Sequence, residues 1–532
     1  MTFGDTIATT SGGGAIELVF LLLFAATGLA VLARRLRIPY PILLVIGGLL
    51  LGLVPGLPQV TLPPDLVFLL FLPPILFGAG YFTSIRDFKA NLRPISLLAI
   101  GLVVTTTAVV AIVVHALVPG LDWAPAFALG AIVAPSDAVA ATAIFQRLGV
   151  PRRVVSILEG ESLVNDATAL VIYRAAVFVA VGGSVSLLGL AGNFVLAAVG
   201  GVVVGVALGT VVGRVMTKLD DPVFSVVISF LAPVAIYLPA ELLGLSGVLA
   251  TVAAGIVLGR NAARNMSSEV RIAGQATWQV LLFLINGAAF ILIGLQLRTV
   301  LAGLGDRPAT ELIGLAVAVS LTVIFVRIAW VYPGAYLPRV LSAGIRERET
   351  APPLRNVFIV SWAGMRGVVS LAAALALPLN VPQRDLLVFL TFAVILATLV
   401  GQGLTLPLLI HKLGVVAEGG QAHEEAHVRV AAADAALATL MQLAEKWPGH
   451  LELIDTLRAQ YAHRAQHLDE ERHEGPETEA EQELLEHREI RRAVIDAERE
   501  AIIRLRDTGA VNDEVFRAVE RDLDLEELRM EA

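Results

Sequence analysis

Seven ionisable side chains stand inside long apolar stretches of this sequence: Asp137, Glu159, Glu161, Asp166, Arg174, Arg327 and Arg366. A charge at the centre of a bilayer costs about 2.5 to 3.5 kcal/mol or more, so each must be paired, hydrated or put to use. The densest cluster is Glu159-Gly160-Glu161-Ser162-Leu163-Val164-Asn165-Asp166. At about 100° per residue, Glu159, Ser162 and Asp166 share one helix face, and Glu161 and Asn165 stack on the adjoining stripe. A hard cation sheds its water only for several oxygens. Asp166, Ser162 and the carbonyls freed where Pro135 breaks the preceding helix can supply them. Asp166 can also hold a proton, so cation and proton compete for one position.

The remaining charges fill different roles. Arg327 lies mid-span in Val326-Arg327-Ile328-Ala329-Trp330, and its expected partner is Glu161, in a structural role. Asp137 and Arg366 sit where helices are interrupted. Charges there compensate half-helix dipoles, which carry roughly half a unit charge at each end; the rival reading puts Asp137 in direct contact with the cation. Arg174, near the end of its helix, is expected to snorkel to the interface. Glu159 either lines an entry funnel or is a solvated helix-end carboxylate.

The elements that position these groups are membrane helices. Of the 532 residues 56% are hydrophobic, above the roughly 45 to 50% of soluble domains, and the mean hydropathy is +0.76. About thirteen runs are long enough to cross some 30 Å of hydrocarbon. They lie near 16–33, 38–54, 65–82, 94–118, 123–148, 153–181, 186–216, 222–240, 245–259, 275–297, 309–337, 357–377 and 385–410. The first follows an uncharged Ser/Gly stretch with no basic segment or cleavage site, so it reads as a span and not a signal peptide. Lys and Arg concentrate on alternate loops, from Arg34, Arg35 and Arg37 through Arg147, Arg152 and Arg153 to Arg339, Arg346, Arg348 and Arg355. The positive-inside rule then puts the amino terminus outside and the carboxyl tail in the cytoplasm.

Span five is broken at Val133-Ala134-Pro135-Ser136-Asp137 and span twelve at Gly364-Met365-Arg366-Gly367. If spans one to six and eight to thirteen are repeats, each break falls in the fifth span of its repeat. The odd offset of seven spans makes the repeats inverted. Paired broken helices in inverted halves point to a transport site near the midplane. One titratable site with mutually exclusive ligands is the least machinery that exchanges a cation for protons. Zero cysteines exclude disulfides, cysteine-ligated metals and thiol nucleophiles. No Gly-x-x-x-x-Gly-Lys-Ser/Thr loop argues for an ATP-driven pump. A channel would need no titratable carboxylate beside a compensated crossing, and a receptor would not need two broken spans in register.

Four motifs, Phe71-Leu72-Pro73-Pro74-Ile75-Leu76, Ala134-Pro135-Ser136-Asp137-Ala138-Val139, Glu161-Ser162-Leu163-Val164-Asn165-Asp166 and Gly364-Met365-Arg366-Gly367, carry a resemblance. In order and spacing, over residues 16–413, the chain resembles the NhaP-type sodium/proton exchangers of the cation/proton antiporter superfamily. The resemblance implies thirteen helices with crossed broken helices in a six-helix core, a separate dimerisation domain and elevator-like alternating access in the plasma membrane. By motif it makes Asp166 the ion and proton carboxylate, Asn165 its neighbour, Ser162 and the backbone at Ser136 cation ligands, and Glu161 with Arg327 the stabilising ion pair. Asn165 in place of a second aspartate implies electroneutral exchange of one cation for one proton. The cation is sodium, with potassium the alternative and lithium a further candidate. Two departures stand out. Gly78 replaces an acidic residue that many relatives carry, and Ser136 replaces a threonine with another hydroxyl.

The formal charge of −8 comes from acidic residues that crowd behind residue 417, and the part before it is mildly basic. The chain thus reads as an all-α polytopic membrane domain, 1–415, and a helical cytoplasmic domain, 416–532. Val428–Glu445, Glu477–Arg506 and Val511–Leu528 show amphipathic spacing, with Asn512 a candidate N-cap. His423 and His427 have a spacing that can hold a metal, but without a third ligand a solvated face is the preferred reading. No cofactor and no nucleic-acid partner is implied.

Overall fold

The structure is a computed structural model, and it describes residues 13–36, 38–54, 69–184, 186–305, 307–415, 420–473, 479–508 and 513–531. Every regular element among them is helical. The chain divides into two compact units, Met1–Val416 and Ala417–Ala532.

The first unit opens with α1 (Gly13–Leu36), α2 (Tyr40–Gly52) and α3 (Leu72–Phe82). Pro41 begins α2 and Pro73 and Pro74 begin α3, in first turns where a missing N–H costs no intrahelical bond. There follow α4 (Leu92–Leu117), the half-helices α5 (Trp123–Val133) and α6 (Ala138–Leu148), and α7 (Arg152–Ala180). Next come α8 (Leu187–Leu219), α9 (Pro222–Leu242), α10 (Gly247–Asn265) and α11 (Ser268–Leu295). The side chains of Ser186, Asp221 and Ser246 each accept a backbone N–H to start α8, α9 and α10. The unit ends with α12 (Ala309–Leu341), the half-helices α13 (Leu354–Trp362) and α14 (Val368–Leu375), and α15 (Arg384–Leu413).

Among the described residues, eight helical stretches are long and apolar enough to cross a bilayer, and three shorter apolar helices, Tyr40–Gly52, Leu72–Phe82 and Gly247–Ala262, accompany them. The interrupted Leu354–Leu375 segment escapes a length criterion because neither half reaches it. Pro135, which has no N–H and whose ring crowds the preceding turn, separates α5 from α6. Gly364 and Gly367 flank the second interruption.

Two sets of helices pack among themselves. In one, α8 lies on α10, α10 on α3, and α11 on α2. Small residues let these backbones touch: a β-carbon at Gly80 would stand 2.7 Å from the Val252 carbonyl oxygen. In the other set α5 is central, between α4, α7, α14 and α15, with α12 against α4, α13 and α15. The half-helices and α7 carry the candidate site.

The second unit contains α16 (Gly420–Lys446) packed on α17 (Leu451–His473), and α18 (Glu479–Asp507) packed on α19 (Asp513–Glu531). Arg499 of α18 ties α19 through Asp524 at 2.7 Å and Glu527 at 2.8 Å. α17 adds a helix to the three amphipathic segments; most of its length is polar, which leaves a weak period. Asn512 and the side chains of His423 and His427 lie outside the described residues.

Candidate functional site

The two interruptions meet. The Asp137 N–H donates to the Met365 carbonyl at 2.8 Å, joining backbone to backbone across the breaks. Arg366 is fully buried there. Its Nε donates to the carbonyl of Val133, the last residue of α5, at 2.8 Å, and its Nη1 to the Gly364 carbonyl at 2.5 Å. The backbone N–H of Arg366 donates to Thr398 Oγ1 of α15 at 3.1 Å. A cation thus lies against carbonyls where helix dipoles are negative. Asp137 has the complementary place. Its Oδ1 accepts from the Val139 N–H at 2.8 Å, capping α6, and its carboxylate lies against Gly367 at the start of α14.

Beside the crossing, Arg327 of α12 reaches Glu161 of α7 through two bonds, Nη1 to Oε1 at 2.5 Å and Nη2 to Oε2 at 2.8 Å. Both residues are 1% exposed. The fork-to-fork geometry is what a desolvated pair requires, since breaking one strands the other. The Val360 carbonyl of α13 accepts from Arg327 Nε and Nη2. Ser136 closes the network: its hydroxyl donates to Glu161 Oε1 at 2.6 Å, and its carbonyl accepts from Asn165 Nδ2 at 2.9 Å. The Ser136 oxygens expected to face a cation are therefore already engaged, although its carbonyl keeps a second lone pair. Asn165 is completely buried, and its Oδ1 has no hydrogen-bond partner.

A cavity of about 220 Å³ opens next to this network. Glu159, Ser162 and Asp166 of α7 line it with Ser136, Asp137 and Thr142. Ser162 Oγ also accepts from the Ala138 N–H, at 3.4 Å. Asp166 is 6% exposed and has no hydrogen-bond or ion-pair partner among the described residues. Thus the structure brings Asp137, Ser136, Ser162 and Asp166 to one cavity, and sets Glu161, Asn165, Arg327 and Arg366 behind its wall. Among the described residues no group of three or more His, Cys, Asp or Glu could hold a resident metal ion.

Three features differ from what the sequence predicts. Arg174 does more than snorkel, because Nη2 pairs with Glu241 Oε2 of α9 at 2.6 Å. α9 continues to Leu242, so Glu241 belongs to the helix end and not to a loop. Asn286 of α11 and Ser370 of α14 also line the cavity. They escape a search for ionisable groups, but an amide or hydroxyl within an apolar run is the signal that marks them. At Gly78, which also borders the cavity, a β-carbon would stand 2.8 Å from the Leu282 side chain. Leucine fills the place beside the missing carboxylate.

An all-helical multi-span membrane protein whose interrupted helices meet at compensating charges, beside a cavity holding a buried carboxylate, is a transporter in its architecture. The family model described as "Sodium/hydrogen exchanger, transmembrane" matches residues 19–412. Over 528 residues the chain is 33% identical to a protein of Mycobacterium tuberculosis (strain H37Rv) described as an uncharacterised Na+/H+ exchanger, covering 97% of this chain and 96% of that one. It is 34% identical over 416 residues to the sodium, potassium, lithium and rubidium/H+ antiporter of Bacillus subtilis (strain 168), covering 74% of this chain and 61% of that one. Its fold matches the structure of the sodium proton antiporter MjNhaP1 from Methanocaldococcus jannaschii at pH 8 with a TM-score of 0.59 and 22% identity, covering 75% of this chain and 98% of that one. The chain belongs to the sodium/hydrogen exchanger family. It is a monovalent cation/proton antiporter and not an enzyme.

Proposed function

We propose that this protein exchanges one sodium ion for one proton at Asp166, electroneutrally, and serves pH and sodium homeostasis. The observation that carries the reading is the state of the carboxylates around the breaks. Glu161 is committed to Arg327, and Asp137 caps α6 and faces Gly367. Asp166 is buried, borders the cavity and has no such partner among the described residues. A buried carboxylate left without a partner at the edge of a cavity is the group free to take a cation or a proton in turn. Ser162 and the second lone pair of the Ser136 carbonyl add oxygens, with Asn165 holding that carbonyl in place. Arg366 and Asp137 compensate the half-helix ends, and the Glu161–Arg327 pair is structural.

The wider organisation follows the same reading. Counting α1, the shorter apolar helices and the interrupted α13–α14 pair as spans gives thirteen, arranged as two inverted six-helix repeats. The meeting of the two breaks supports that arrangement. The basic loops support an amino terminus outside and the second unit in the cytoplasm of a plasma-membrane protein. The assembly is a homodimer.

Potassium exchange at the same site is the second reading, supported by the breadth of ions in the name of the Bacillus subtilis relative. Dissipation of a preset proton gradient in proteoliposomes, driven in turn by sodium, potassium and lithium, separates the two. Sodium should give the largest rate at low concentration. A larger response to potassium would replace the first reading by the second, and no response to any of them would overturn both.

A further inference from the structure

A second cavity, of about 80 Å³, lies between α4, α7, α12 and α13, at the ends of the helices away from the crossing. Arg93, at the start of α4, Arg153, at the start of α7, and Arg339, near the end of α12, line it. Among the described residues, these three cations have one paired carboxylate between them. Glu349 Oε2 accepts from Arg93 Nη2 at 2.7 Å and from Arg339 Nη2 at 2.9 Å. Among the described residues, Arg153 is held by Asn91 alone, whose Oδ1 accepts from its Nε at 3.2 Å. Arg339 is 7% exposed. Nε of Arg339 and both Nε and Nη1 of Arg93 are buried and have no hydrogen-bond partner. Buried guanidinium donors without acceptors are costly, and the local charge is unbalanced. The cavity also receives Asn356 from the first turn of α13, where the helix end adds positive potential.

The remaining walls are apolar. Leu97, Ile157, Trp330, Val331 and Val357 line the cavity. Beyond it, Ile100 and Val104 of α4 and Leu337 and Val340 of α12 are exposed apolar side chains. A soluble anion needs the arginines but not this apolar approach. A lipid uses both. We propose that the crevice binds the phosphate of an anionic phospholipid, held by Arg93, Arg153 and Arg339, with its acyl chains against α4 and α12. Guanidinium forks match phosphate oxygens in pairs, and basic pockets between membrane helices suit anionic headgroups. The bound phosphate would satisfy the donors that the protein leaves open. It would also brace α7, which carries Asp166, against α12, which carries Arg327.

The test uses the purified full-length protein in one detergent, with Tm followed on adding phosphatidylglycerol, phosphatidylcholine or inorganic phosphate. Phosphatidylglycerol should raise Tm by roughly 2 °C or more, and phosphatidylcholine should not. Arg153 is exposed and makes no ion pair with a described residue, so Arg153→Gln should fold and bind phosphatidylglycerol about fivefold more weakly. Arg153→Lys should restore part of the shift. Arg339→Gln, if it folds, should lose more of it. Equal shifts with both lipids, or an undiminished shift in Arg153→Gln, would overturn the proposal. An equal shift with inorganic phosphate alone would also overturn it, by making the site one for a free anion.

Discussion

Asp137 and Gly367 touch across the crossing of the two interrupted spans: a β-carbon at residue 367 would overlap the Asp137 carboxylate. The contact brings an anion to the N-cap residue of α14 while the same carboxylate caps α6. Gly367→Ala should therefore push the halves apart and reduce exchange on the order of 100-fold, the scale set by misplacing a site by about 1 Å. Gly314→Ala, on α12 with nothing within 4 Å of its added carbon, is the control and should be neutral. Proteoliposome rates for the two variants decide it, and near-wild-type exchange in Gly367→Ala would show that the contact yields freely.

The assignment of the site separates two aspartates that line one cavity. Asp166→Asn should abolish exchange while leaving a folded, membrane-inserted protein, because it removes the one group proposed to bind both ligands. Asp137→Asn should behave differently, since asparagine caps a helix nearly as well as aspartate. Exchange should persist there with the KM for the cation little changed. A rise in KM of about tenfold, worth roughly 1.4 kcal/mol of binding, would put Asp137 in direct contact with the cation.

Arg327 and Glu161 are both desolvated, so either single neutralisation strands a charge and should cost roughly 3 to 5 kcal/mol. Glu161→Gln combined with Arg327→Gln should recover part of that loss. Thermal melts of the four proteins form the cycle. Strictly additive losses would mean that the two side chains do not support each other.

The sequence discloses these groups unevenly, for physical reasons. An arginine in the middle of Val326-Arg327-Ile328 cannot stand alone in hydrocarbon, so the sequence alone demands a carboxylate partner, and Glu161 is the residue it meets. Ser136 is less legible. Its hydroxyl turns toward Glu161 because the α5–α6 break passes over α7, a relation that no one-dimensional spacing encodes. Asn286 escapes notice because it carries no charge, and Arg174 reads as snorkelling when the end of α9 is placed short of Glu241. The span count is hardest at the interrupted helices. α13 has 9 residues and α14 has 8, so an apolar window recognises only their sum. The unbalanced arginines at the second cavity arise from separate helices and leave no local motif.

Stoichiometry and pH dependence give the last prediction. Asn165 is neutral at any pH and uses its amide to hold the Ser136 carbonyl, so it cannot contribute a second titrating charge. On the proposed reading the carrier alternates between Asp166 with one proton and Asp166 with one monovalent cation. Both loaded forms would then have the same net charge, and the cycle would move none across the membrane. Initial rates should be unchanged when a valinomycin-clamped potential is imposed. Because proton and cation compete for one carboxylate, lowering the pH should raise the KM for the cation while leaving the maximal rate nearly constant over a moderate range. That behaviour requires no separate sensor, so removing residues 417–532, the second compact unit, should shift the pH profile at most. Rates with and without the clamp, a KM series across pH, and both repeated on the truncated protein are the measurements. Acceleration by a favourable potential would overturn electroneutral exchange, and a well-folded truncation without activity would make the second unit essential to transport.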